Sequence, residues 1–127
     1  MNLNERISLF SSLGKLISNS HNVFKEVVSR AIIVNPWFTK DHIRTSFLSI
    51  SQMLDEKNLK NWILNSDINH IKSKKVLIIM AGNVPMVGFH DLLCVLISGH
   101  SAIIKFSSKD NILMKFIINK LISISSE

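Results

Sequence analysis

Residues 75–110 decide the fold, and they read KVLIIMAGNVPMVGFHDLLCVLISGHSAIIKFSSKD. Near its start, Val76–Ala81 is an unbroken run of apolar residues that is rich in β-branched side chains. A short continuous run of this kind is typical of a strand that is buried on both faces of a parallel sheet. The polar turn Gly82-Asn83-Val84-Pro85 then ends the strand, because Gly, Asn and Pro are turn formers.

A helix and a second strand follow this turn. Residues 86–98 are apolar at helical spacing, and Gly99 is a natural stop for that helix. Ala102–Phe106 predicts the second strand. Ser107 or Ser108 is then expected to cap a last helix.

Together these signals predict a β-α-β-α unit of the α/β class. Asp110 should lie in the first turn of the last helix, where a negative charge is favoured. The crossover between parallel strands should be right-handed. Since two strands alone would both be edges, we expect an incomplete parallel, Rossmann-like sheet that needs further strands.

The region before this unit predicts four helices. Apolar residues recur at helical spacing over 3–18, and a second helix should end before Asn35, which precedes a proline. Thr39 or Asp41 can cap a third helix, and a short fourth helix should reach about Asn65. The polar stretch 66–74 then links the two halves.

This layout divides the chain into two regions. Residues 1–66 form an N-terminal helical region, and residues 75–127 form the first part of an α/β domain that we expect to be truncated. The chain has 127 residues, which fits one small domain or a piece of a larger one.

The net charge of +6 invites a nucleic-acid interpretation, but the charge distribution opposes it. The lysines are scattered, and basic side chains do not alternate with aromatic ones in a binding pattern. No apolar stretch approaches the roughly 20 residues that a membrane span requires. The N-terminus has no signal-peptide pattern, and a single cysteine excludes an internal disulfide. We therefore expect a soluble cytoplasmic protein without nucleic acid.

Four polar residues at the predicted carboxyl ends of the strands are candidates for ligand binding. Asn83 offers an amide donor that could stabilise an oxyanion, although the pattern alone favours an ordinary turn. Lys105 could reach a phosphate or ribose, or could simply be a solvated lysine. Ser107 and Ser108 could contact the same ligand or cap the helix.

Other chemical signals are weak. His90 and Cys94 are four residues apart on one helical face and could form a nucleophilic pair, but the neighbours of Cys94 are apolar, which is typical of an inert thiol. The histidines have no metal-binding spacing, so no metal site is expected. The common glycine-rich phosphate motifs are absent.

Three stretches resemble acyl-CoA reductases of the bacterial luminescence type and their non-luminescent relatives, within the aldehyde dehydrogenase superfamily. They are Asn35–Thr39, Met80–Asp91 and Ser98–Asp110. The second is similar to the superfamily's aromatic-Asn-x-Pro turn, with Gly82 in place of the aromatic residue. The third is similar to its Gly-Asn-x-hydrophobic-Lys-Pro-Ser stretch, with Phe106 in place of proline.

The resemblance implies that residues 75–127 are the first part of a cofactor-binding domain with a sheet of the aldehyde dehydrogenase type. It also implies a role for each matching residue. Asn83 would be the donor to the thioester or hemithioacetal oxygen. Lys105 and Ser107, with Ser108 beside them, would contact the adenosine side of NADPH or NADH. The family's catalytic cysteine lies in a separate downstream domain, and Cys94 does not match its motif.

The predicted function is therefore that of the N-terminal part of an NAD(P)H-dependent acyl-CoA reductase. Such an enzyme reduces the thioester of a fatty acyl-CoA or an acyl-protein to an aldehyde through a cysteine acyl-enzyme. This chain alone is expected to be inactive, and a homo-oligomer is possible. The alternative is a small non-catalytic α/β module for binding or scaffolding.

Overall fold

The computed structural model describes residues 1–19, 24–68 and 72–125, and these form six helices and a two-stranded parallel sheet. The elements in chain order are α1 (Leu3–Asn19), α2 (Phe24–Val34), α3 (Lys40–Met53), α4 (Glu56–Ile63), β1 (Lys75–Ile79), α5 (Phe89–Ile97), β2 (Ser101–Lys105) and α6 (Asn111–Ile124). The α/β class with a helical N-terminal part is confirmed.

The helices of the N-terminal part follow the predicted apolar periodicity. Helix α1 packs against α3, α4, α5 and α6, and its buried stripe consists of Ile7, Phe10, Leu13 and Ile17. The Thr39 hydroxyl caps α3 by accepting a hydrogen bond from the His42 N–H at 3.1 Å. Of the two predicted caps, Thr39 is therefore the one used, and Asp41 lies in the first turn.

Strand β1 pairs with β2 in parallel, with a register that runs from Lys75 opposite Ser101 to Ile79 opposite Lys105. Helix α5 connects the strands and packs against both. Burial therefore alternates along β1, where Ile78 is buried while Leu77 and Ile79 are 60% and 69% exposed. The prediction of a strand buried on both faces is wrong for the described residues, because α5 covers one face and the other is open.

Two helix starts differ from the predictions. Helix α5 begins at Phe89 rather than at residue 86, because Met86 has a φ of 59°, which no right-handed helix accepts. Gly99 ends α5 as predicted, with a left-handed φ of 88°. Helix α6 follows Asp110, so the prediction that Ser107 or Ser108 caps it is wrong. The Asp110 side chain makes no capping bond either.

In the described residues, the helical part and the α/β part share a hydrophobic core, and a long-range polar contact also joins them. Helices α1 and α2 both pack against α6. The buried Asn35 amide donates to the Lys109 carbonyl oxygen at 3.3 Å, while its own oxygen accepts from the Trp37 N–H at 3.1 Å. Asn35 thus ties the α2–α3 connection to the segment that follows β2.

Across the three described ranges, no helix combines the length and the apolar character that crossing a membrane requires.

Candidate functional site

The candidate site lies where β1 and β2 end. The parallel pairing brings both carboxyl ends to one edge of the sheet, and the Met80 N–H donates to the Lys105 carbonyl oxygen at 3.0 Å. The turn that carries Asn83 and the segment that carries Ser107 and Ser108 leave from this edge side by side. Ligands of parallel α/β sheets bind at such carboxyl edges.

The two segments are in close contact at Gly82. A Cβ atom placed on Gly82 would lie 2.2 Å from the Ser107 Oγ and 3.0 Å from the Lys109 Cβ. No side chain fits in that space without movement of the neighbouring segment. Glycine at position 82 is therefore required by the approach of residues 107–109.

The Asn83 side chain is exposed and available to a ligand. It lies in the turn between β1 and α5, and within the described ranges it has no hydrogen-bond partner. An exposed amide without a protein partner can donate to an oxygen of a bound molecule. The turn itself is ordered by a hydrogen bond from the Val87 N–H to the Val84 carbonyl oxygen at 3.2 Å.

Lys105, Ser107 and Ser108 follow one another closely at the end of β2, with different exposures. Lys105 is exposed and belongs to the same open sheet face as Ile79, its partner in register. The half-buried Ser107 accepts a hydrogen bond from the Lys109 N–H at 3.2 Å through Oγ, which leaves its own O–H to donate. Ser108 is exposed. An ammonium and two hydroxyls are therefore accessible to a polar ligand here.

Asp110 is a further residue at this edge that the sequence did not single out as functional. It is only 3% exposed, and its Oδ2 accepts a hydrogen bond from the Met86 N–H at 2.5 Å. Burial raises the pKa of this carboxyl from 3.8 to about 7, and the Met86 hydrogen bond opposes that rise. An aspartate before a helix is ordinarily a cap, so no local signal marks its bond to a residue 24 positions earlier.

The His90–Cys94 pair exists in the structure but lacks the properties of a catalytic dyad. The Cys94 Sγ lies 3.7 Å from the His90 Nδ1. Burial raises the pKa of the Cys94 thiol, and the charge of Asp91 acts in the same direction. Since the thiolate is the nucleophilic form, Cys94 is not activated.

Two other features of the molecule bear on ligand binding. No group of three or more His, Cys, Asp or Glu residues with metal-binding geometry occurs within ranges 1–19, 24–68 and 72–125. A groove of about 640 Å³ lies between α1, α2 and α3, and its described lining contains none of the four candidate residues. The candidate site is instead the open carboxyl edge of the sheet.

Comparison with known proteins gives one match. The model of the acyl-CoA reductase (LuxC) family matches residues 11–127, a range that includes both helical and α/β parts and all four candidate residues. No curated protein and no solved structure matches the chain. Because the family model covers most of its length, the chain belongs to the acyl-CoA reductase (LuxC) family.

Proposed function

We propose that this chain supplies part of the cofactor-binding and oxyanion-binding site of an NAD(P)H-dependent acyl-CoA reductase, which reduces a fatty acyl thioester to an aldehyde. The family match supports the reaction class. The observation that carries the proposal is the contact between Gly82 and Ser107, because it places the two motifs beside each other at one sheet edge.

Asn83 is the proposed oxyanion donor. When a nucleophile attacks a thioester, negative charge develops on the carbonyl oxygen, and an amide N–H directed at that oxygen stabilises the transition state more than the ground state. The exposed Asn83 amide has no partner among the described residues that would compete with the substrate oxygen. The substrate is the thioester of an acyl-CoA or of an acyl-protein.

Lys105, Ser107 and Ser108 are the proposed cofactor contacts. An ammonium suits a phosphate group, and hydroxyls that donate suit ribose or phosphate oxygens. All three lie at the carboxyl edge, and the exposed Lys105 and Ser108 can be reached from solvent. The residues present therefore fit the adenosine side of NADPH or NADH. When bound, this cofactor supplies the hydride for the reduction.

The nucleophile is proposed to be a cysteine outside these 127 residues. Cys94 has a raised pKa and lies on α5 among apolar neighbours, so it does not provide a thiolate at neutral pH. In the proposed reaction a cysteine thiolate displaces the thiol of the acyl thioester and forms an acyl-enzyme. A cytoplasmic location and a homo-oligomeric state stay predictions.

A titration of NADPH against the 127-residue chain, followed by NADPH fluorescence, tests the cofactor site. Lys105→Ala should weaken binding by about tenfold, since a hydrogen bond to a charged group is worth roughly 1.5–3 kcal/mol. Lys75→Ala is the matched control, because Lys75 is exposed on the same sheet face at the opposite end of β1. It should leave the affinity unchanged.

Three results would contradict the proposal. Equal affinities of the wild-type and Lys105→Ala chains would remove Lys105 from the site. A wild-type chain that binds no NADPH would favour the alternative of a non-catalytic binding or scaffolding module. Acyl-CoA-dependent NADPH oxidation by this chain alone would contradict the placement of the nucleophile elsewhere.

A further inference from the structure

Asp110 occupies a cap position without capping. An aspartate immediately before a helix usually accepts hydrogen bonds from the first N–H groups of that helix. Here the Asp110 side chain makes no such bond, and Oδ2 accepts from the Met86 N–H instead. Its second oxygen, Oδ1, is buried and has no hydrogen-bond partner among the described residues. A carboxyl that is buried with one oxygen unsatisfied is costly, so its long-range bond requires an explanation.

The partner of this bond is a residue with an uncommon backbone conformation. Met86 has a φ of 59°, although it is not glycine, and its side chain is buried. Such a conformation persists where the surroundings hold it on several sides. Asp110 holds the Met86 N–H, and the Met86 carbonyl oxygen accepts from the Phe89 N–H at 3.0 Å at the start of α5.

Met86 and Asn83 belong to the same short turn, and this turn is attached at two points to the segment after β2. Gly82 packs against Ser107 at one end, and Met86 bonds to Asp110 at the other. The segment 107–110 thus carries two candidate cofactor contacts and also holds the turn that presents Asn83. Loss of the Asp110 bond would leave the contact at Gly82 as the attachment of the turn to the segment 107–110.

We propose that Asp110 is a positioning residue that fixes the Asn83 amide relative to Ser107 by holding the Met86 N–H. The identity of the molecule that the Asn83 amide binds rests on the proposed function. The position of that amide does not depend on the proposed function.

The protonation state of Asp110 gives this proposal a pH-dependent signature. Its pKa is about 7 because burial disfavours the charged form. Residues 81–88 carry no ionisable side chain, and the α2–α3 connection contributes the neutral Asn35. Among the described residues, the titratable side chains nearest along the chain to Met86 and Asp110 are all exposed, and they are His90, Asp91, Lys105, Lys109 and Lys115. The Lys115 ammonium lies 5.5 Å from the Phe106 ring centre. A carboxylate accepts a stronger hydrogen bond than a neutral acid, so its hold on Met86 tightens as the pH rises through 7.

The test is a pH titration of the 127-residue chain by ¹⁵N–¹H NMR, from about pH 5 to about pH 9. In the wild type, the Met86 amide and the Asn83 side-chain amide should titrate with one shared midpoint near 7. Asp110→Asn keeps an acceptor oxygen but cannot ionise, so both signals should become independent of pH. Asp91→Asn, a change of an exposed aspartate on α5, is the control and should leave both titrations unchanged.

Hydrogen exchange supplies a second measurement. Asp110→Ala removes the acceptor, and exchange of the Met86 amide should rise by at least about tenfold, whereas α1 amides should change less. If Asp110→Ala does not fold, the comparison of wild type with Asp110→Asn decides the question.

The proposal would be overturned by a folded wild type in which either signal is flat with pH, or by titrations that persist in Asp110→Asn. An unchanged exchange rate of Met86 in a folded Asp110→Ala chain would also overturn it. None of these measurements involves a cofactor. A chain that shows the coupled titration but binds no NADPH would therefore retain the positioning role and lose the proposed function.

Discussion

At the residue scale, the adjacent residues Gly82 and Asn83 have opposite environments, because Gly82 is buried and Asn83 is exposed. Gly82 is required by the packing of the Ser107 and Lys109 side chains, because a Cβ would lie 2.8 Å from the Ser107 Cβ. Asn83 is exposed and satisfies no protein group among the described residues. The Asn83 side chain is therefore available to hydrogen-bond a ligand.

Substitution of these two residues should therefore have different effects on stability. Gly82→Ala should lower the free energy of unfolding by about 1–3 kcal/mol, because the added methyl group must displace the 107–109 segment. Asn83→Ala should change it by less than about 0.5 kcal/mol, as for other exposed sites. Urea unfolding of the two variants and the wild type measures both values. A destabilisation by Asn83→Ala as large as that by Gly82→Ala would show that Asn83 is structural.

At the element scale, the start of α3 tests whether a capping residue predicted from the sequence stabilises its helix. Thr39→Ala removes the hydroxyl that accepts from the His42 N–H, and it should cost about 1 kcal/mol in the free energy of unfolding. Thermal unfolding measures this loss. Thr39→Ser is the matched variant, because it keeps the hydroxyl and should restore most of the stability. Equal losses for the two substitutions would mean that the cap bond contributes little.

In the sheet, the apolar pattern of β1 was not sufficient to predict which of its faces is buried. The apolar run Val76–Ala81 correctly predicts a strand, but its unbroken apolar character does not mean that both faces are covered. Ile78 faces the helices, whereas Leu77, Ile79 and Ile103 lie on the open face. The pattern reports which residues tolerate burial, and only the placement of α5 decides which of them become buried.

At the scale of the whole molecule, Asn35 joins the helical and α/β parts. Asn35→Ala would leave the Lys109 carbonyl oxygen and the Trp37 N–H without their partner, and both hydrogen bonds are partly buried. We expect a loss of about 1–3 kcal/mol in the free energy of unfolding, measured in urea. Asn65→Ala is the control, since Asn65 is exposed, and it should be near neutral. A near-neutral Asn35→Ala would show that the apolar core alone holds the two parts together.

The pH dependence of global stability follows from Asp110. Its pKa is raised on folding from 3.8 to about 7, so the folded chain binds more protons than the unfolded chain between these values. The stability contributed by this group is fully present below about pH 4 and is lost as the pH rises towards 7. The difference in unfolding free energy between wild type and Asp110→Asn should therefore fall over this interval and become constant above it. A difference that is independent of pH would contradict the raised pKa.

The sequence by itself determined the order and type of the elements, including Gly99 as a stop and the two strands around α5, and it reduced the cap of α3 to Thr39 or Asp41. These features depend on apolar periodicity and on backbone preferences within a few residues, which a single sequence displays directly. The same local signals make Asn83 and Lys105 candidates for ligand binding, because both lie near the ends of apolar runs.

Only the tertiary structure decided which faces are covered, why residue 82 must be glycine, and that Asp110 bonds to Met86 rather than to its own helix. It also decided the bond between Asn35 and Lys109, which are 74 residues apart. These contacts join segments that are distant along the chain, and their geometry depends on how whole helices and strands pack. Local preference favours a capping role for Asp110, and the tight turn at Met86 overrides that preference.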